Sequence, residues 1–120
     1  GLASGSPETV LEHLTAFLAL PAAETEKELL GVARFAARQG RHPLALDLLT
    51  EYLRRHPRGS GLDAAYFQLA QLYELESPLR DVRRAREYYR KVYDEFPESE
   101  YAEQARSRIL YLDRHFFHVQ

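Results

Sequence analysis

The sequence predicts an all-α fold built from stacked antiparallel helix pairs, about six helices in all. Three observations predict it. Apolar residues recur at spacings of three and four along almost the whole chain, and no segment alternates apolar and polar long enough to argue a strand. Proline, glycine and Ser/Thr/Asp punctuate the apolar runs where helices start and stop. The chain also echoes itself. Ala45-Leu46-Asp47-Leu48-Leu49, Tyr52, His56-Pro57 and Ala65 have counterparts forty residues on, in Ala85-Arg86-Glu87-Tyr88-Tyr89, Val92, Phe96-Pro97 and Ala105. A fixed period of this size means that each unit buries its apolar face against its neighbour.

The elements follow in order. Gly1–Ser6 reads as a linker or tag remnant and is set aside. Residues 7–120 read as one domain. A leading helix or half-repeat is predicted over Pro7–Leu20, with Ser6 as cap and Val10, Leu14, Phe17 and Leu18 as its stripe. The first repeat covers 26–57. Its opening helix, about Glu26–Gln39, has Thr25 and Glu28 in capping-box spacing, and Gly40 supplies a left-handed stop. Leu29, Val32, Ala33 and Ala36 share a face. Its second helix, about Pro43–His56, turns Ala45, Leu48, Leu49, Tyr52 and Leu53 inward and ends at Pro57.

The second repeat covers 62–97. Ser60 and Asp63 are in capping spacing for a helix that ends near Glu76, with Leu62, Ala65, Tyr66, Leu69, Ala70 and Tyr73 inside. Ser77-Pro78 reads as the start of the next helix, whose stripe is Val82, Ala85, Tyr89, Val92 and Phe96. A capping helix over 100–118 follows Ser99 and carries Ala102, Ala105, Ile109, Leu112 and Phe116. Small residues, Ala33 with Ala45 and Ala70 with Ala85, fall where paired helices would cross. Phe35, Tyr52, Tyr66, Tyr73 and Tyr89 flank them, so small and large side chains interlock.

Composition narrows the function. A net charge of −2 gives no global attraction to nucleic acid or anionic membrane. Without cysteine there is no disulfide, thiolate nucleophile or Cys-type zinc site. The chain has no methionine and is read as a processed or excised piece, so upstream signals stay open. No run approaches the ~18–20 apolar residues of a membrane span. Gly-x-Ser-x-Gly, His-Glu-x-x-His and phosphate-loop patterns are absent, so no enzyme activity, cofactor or metal is predicted.

Gly40-x-x-x-x-Ala45 with Leu49, Tyr52 and Pro57 resembles the second half of a tetratricopeptide repeat. Tyr66-x-x-Leu69-Ala70-x-x-Tyr73, completed by Ala85, Tyr89, Val92 and Pro97, resembles the next repeat. Phe96-Pro97-Glu98-Ser99-Glu100-Tyr101-Ala102 is similar to the repeat boundaries of bacterial envelope proteins such as the outer-membrane-assembly lipoprotein BamD and the Tol-Pal accessory protein. The resemblance implies a right-handed superhelical stack whose concave face docks a peptide or protein partner. It also favours a periplasmic or envelope setting over the cytoplasm.

Carried onto this chain, the groove residues would be Arg34, Arg38, Phe67, Gln71, Glu74, Tyr111, Arg114 and His115. Phe116 and Phe117 point about 100° apart on one helix, so one of them is expected at a terminal interface, with a homodimer seam as the alternative function. Arg80, Arg83, Arg84, Arg86 and Arg90 form a basic cluster that would suit phosphates. However, Arg83–Glu87 and Arg90–Asp94 stand at i,i+4, which favours a salt-bridged face over nucleic-acid binding. His115 and His118, three apart, lack further metal ligands.

Overall fold

The computed structural model describes residues 22–117, with side chains from Thr25 onward. The described residues form five α-helices and no strand: α1 (Ala22–Arg38), α2 (His42–Arg55), α3 (Leu62–Glu74), α4 (Val82–Glu95) and α5 (Ala102–Phe116). The predicted segment over 7–20 lies outside the described residues, as does His118. The chain divides into two compact units, one ending at Gly59 and one starting at Ser60.

In the first unit α1 packs on α2. Leu29, Ala33 and Ala36 of α1 and Ala45, Leu48, Leu49 and Tyr52 of α2 are buried. α1 stops in a Schellman turn: Arg41 N–H bonds Ala36 O, Gly40 N–H bonds Ala37 O, and Gly40 takes φ 78°. The three-residue connection turns the chain straight into α2, whose Pro43 occupies the first turn, where a missing N–H costs nothing. α2 ends where His56 N–H bonds Tyr52 O and Pro57 follows. Tyr52 is fully buried, and its phenol donates to Glu26 Oε1 at 2.6 Å. That bond closes over Gly59, where an added Cβ would lie 2.6 Å from Tyr52 Oη and 2.7 Å from Glu26 Oε1.

In the second unit α3 and α5 both pack on α4. Ala65, Leu69, Ala70 and Leu72 of α3, Ala85, Tyr89 and Val92 of α4, and Ala102, Ala105 and Leu112 of α5 make its core. α3 ends at Glu74 because Leu75 becomes extended (φ −62°, ψ 151°). Asp81 then restarts the helix. Its side chain accepts the Arg84 N–H at 3.1 Å, and its own N–H returns to Tyr73 O at 2.8 Å. A second tie joins the α4–α5 turn to the start of α3, where Ser99 Oγ donates to Asp63 Oδ2 at 2.6 Å.

Three expected helix starts and one expected cap are corrected, while α3 starts at Leu62 as expected. α1 is already helical at Ala22, so Thr25 and Glu28 sit inside it rather than boxing its end. Ala22 and Ala23 are strong helix formers and carry the helix upstream. Gly61, not Ser60, precedes α3, and Asp63 bonds the Ala64 N–H. Ser77 holds the Leu79 N–H in a local turn, so α4 waits for Asp81. Ser99 likewise serves a turn, bonding the Tyr101 N–H, and α5 begins at Ala102. The crossing alanines Ala33, Ala45, Ala70 and Ala85 are all fully buried, but Phe35 is 62% exposed and packs no joint.

Candidate functional site

The second unit carries an open cleft of about 710 Å³ between α3 and α5. Helical spacing places Phe67, Gln71 and Glu74 along one edge of α3, and Gln104, Ser107 and Arg108 along the facing edge of α5. Tyr89 of α4 is its floor. Leu75, just past the helix end, closes one end with Glu76, and Glu103 sits on the opposite rim. Phe67 is nearly buried. Its ring stacks on Tyr101 at 4.9 Å and meets Tyr89 edge-on at 5.7 Å, which fixes the apolar base.

Glu74 is the electrostatic hub. Its Oε1 accepts from the Tyr89 phenol at 2.7 Å and from Arg108 Nε at 3.3 Å, and its Oε2 accepts from Arg108 Nη2. This two-point Arg–carboxylate contact clamps α5 to α3 across the cleft. Burial pushes the Tyr89 phenol far above its ordinary pKa, and its hydrogen bond to Glu74 adds to the rise. Arg108's own hydrogen bonds to Glu74 raise its guanidinium pKa. The Arg108 guanidinium also lies 4.3 Å over the Tyr111 ring, which contacts the His115 ring at 4.3 Å. The cleft therefore offers contact area, amide hydrogen bonding and a few fixed charges. No set of three or more possible metal ligands clusters among the described residues.

The structure brings only some of the expected groove residues together. Phe67, Gln71 and Glu74 line the cleft. Tyr111 and His115 continue from it through Arg108, although they are not in its lining. Arg114 is exposed on α5 outside the lining. Arg34 and Arg38 are exposed on α1, in the first unit. Sequence reading missed Gln104, Ser107 and Arg108 because the edge of α5 that faces α3 is set by how α5 seats on α4. A groove needs the two sides that face each other. The available signal was Gln104, Arg108 and Tyr111, spaced i, i+4, i+7 on α5.

Most of the basic side chains at α4 are paired with acids. Arg80 pairs with Glu76 at 2.8 Å, Arg86 with Asp113 at 2.5 Å, Arg90 with Asp94 at 3.8 Å and Lys91 with Glu95 at 3.4 Å. The expected Arg83–Glu87 pair is not formed; Arg83 instead lies 5.5 Å over the ring of Phe117, which Arg86 also covers at 5.0 Å. Arg80 sits 5.2 Å over Phe116, itself 45% exposed. Arginine faces are thus spent on rings and carboxylates of the same unit.

Comparison with known proteins bears on the helix pair that carries one wall of this cleft. Residues 64–99 match the tetratricopeptide repeat family. The match runs through most of α3, the 75–81 connection and α4. An uncharacterised protein of Borreliella burgdorferi is 33% identical over 109 residues, which is 91% of this chain and 32% of that protein. An uncharacterised protein of Treponema pallidum is 29% identical over 96 residues, 80% of this chain and 19% of its own length. The chain thus spans a third or less of either relative. No solved structure matches it. The tetratricopeptide repeat fits the all-helical pairs and suggests a protein-interaction module. None of the helices is long and apolar enough to cross a membrane among the described residues.

Proposed function

We propose that this chain is a non-enzymatic docking module that holds a peptide or protein partner in the cleft between α3 and α5. One observation carries the reading. The cleft floor is built and locked by Phe67, Tyr89 and the Glu74–Arg108 clasp, while Gln71, Gln104 and Ser107 stay exposed above it. A preformed base with exposed polar walls recognises ligands without paying for reordering. The finer setting, a bacterial envelope assembly, draws support from the Phe96-Pro97-Glu98-Ser99-Glu100-Tyr101-Ala102 boundary.

The test is selection of ligands from a displayed peptide library, followed by titration. Gln71→Trp would fill the cleft from an exposed position and leave the core intact. Selected ligands should lose about tenfold or more in affinity on this variant, with an unchanged circular dichroism spectrum. Ligands that bind the wild type and Gln71→Trp equally would place docking elsewhere.

A further inference from the structure

We infer that the cleft selects an internal, extended segment of its partner bearing a lysine or arginine beside an apolar side chain. This rests on the docking reading above and adds the chemistry of the occupant. Three observations lead to it. First, the acids in the cleft outnumber the bases: Glu74, Glu76 and Glu103 against Arg108. Second, Arg108 is consumed. Its Nε–Nη2 edge goes to Glu74 and its face covers Tyr111, so its charge is already matched inside the cleft. With that charge matched by Glu74, Glu76 and Glu103 repel an incoming carboxylate, which argues against acidic segments and against a partner's C-terminal carboxylate. Third, the remaining negative charge is accessible. Glu103 is exposed and makes no ion pair among the described residues. Glu76 has an 89% exposed side chain, and its pair with Arg80 is a surface contact of little strength.

The walls specify backbone. Gln71 and Gln104 each present a donor and an acceptor, and Ser107 adds a hydroxyl. Such groups match an extended main chain, whose N–H and C=O are free, better than a helix that has already spent them internally. Leu75, 45% exposed at the cleft end, offers the apolar contact beside the acids.

The experiment uses short peptides capped at both ends, with a central leucine flanked by lysine, glutamine or glutamate, and one lysine peptide left with a free C-terminal carboxylate. Binding to the whole chain is read by fluorescence anisotropy at two salt concentrations. Lysine-flanked capped peptides should bind about tenfold or more tightly than glutamate-flanked ones, with the gap narrowing at high salt. The preference should fall to about twofold in Glu76→Gln/Glu103→Gln and reverse in Glu103→Lys. Both positions are exposed, so the variants keep the fold. Equal or tighter binding of the glutamate or free-carboxylate peptides would overturn the inference, as would a lysine preference that survives the double variant, or no binding by any peptide. Library ligands that still depend on Gln71 but show no charge preference would remove the selectivity and leave the docking reading standing.

Discussion

The α1–α2 and α3–α4 pairs keep the same register but divide their residues differently. α1 and α3 start at Ala22 and Leu62, α2 and α4 at His42 and Val82. In the first pair the opening helix has 17 residues and a glycine turn closes it at once. In the second it has 13 residues, and residues 75–81 form an open connection capped by Asp81. The position of Leu75 and Glu76 in the first pair, Phe35 and Ala36, is still helix. Repeat length is thus fixed by where the second helix must land, and the turn chemistry decides how much of it becomes loop. The early end of α3 is what frees Leu75 and Glu76 to close the cleft. The far ends differ too. Tyr52, its ring against His56, closes the first pair by donating a hydrogen bond to Glu26, whereas the second closes through Phe96 on Tyr66, rings 6.1 Å apart.

The largest expected effect tests what the two pairs share. Ala45→Leu and Ala85→Leu should each destabilise by about 1–3 kcal/mol in urea unfolding, because both sites are fully enclosed. A neutral result at either would show that its pair is not close-packed there. The turns come next. Gly40→Ala should cost about 1–2 kcal/mol through the positive φ alone, since nothing lies within 4 Å of the added methyl. Asp81→Ala should cost about 1 kcal/mol as a lost cap. Equal stability of Gly40→Ala and wild type would remove the account of how α1 stops.

Smaller still is the contrast between the two buried phenols. Tyr52→Phe should lose about 0.5–1.5 kcal/mol with the bond that closes over Gly59. Tyr89→Phe should lose less, because Arg108 still holds Glu74. Calorimetric melting temperatures in the reverse order would undo that ranking. The smallest effect is a pH dependence confined to the first pair. The Arg54 hydrogen bond holds the Glu51 carboxyl below its ordinary value of 4.5, with Arg55 adding to the pull. Its contribution is complete above that pH and fades as pH falls through the lowered folded value. Glu51→Gln should flatten that part of the stability profile, and an unchanged slope would assign it elsewhere.

Much of the fold was legible because burial has a period. The stripe Ala85, Tyr89, Val92 and the left-handed Gly40 are visible in the linear sequence, since each depends on local geometry. Helix starts were less legible. Ser77 and Ser99 can each cap a helix or hold a short turn, and distant partners chose the turn: Asp81 returns its N–H to Tyr73 for one, and Asp63 accepts Ser99 for the other. The cleft was half legible. Its α3 side followed from the repeat resemblance, but its α5 side depends on how α5 rotates about its axis to seat Ala102, Ala105 and Leu112 on the core of the unit.

The sequence by itself determined helical pairs, their forty-residue spacing and the small residues at their joints, because these arise from contacts within a few turns of chain and from where polar backbone must stop. Only the tertiary structure decided that Arg108 meets Glu74, that the arginines of α4 are spent on nearby acids and rings, and that Phe35 faces solvent. Those outcomes depend on the angle at which one helix meets another, and side-chain identity along a single helix leaves that angle open.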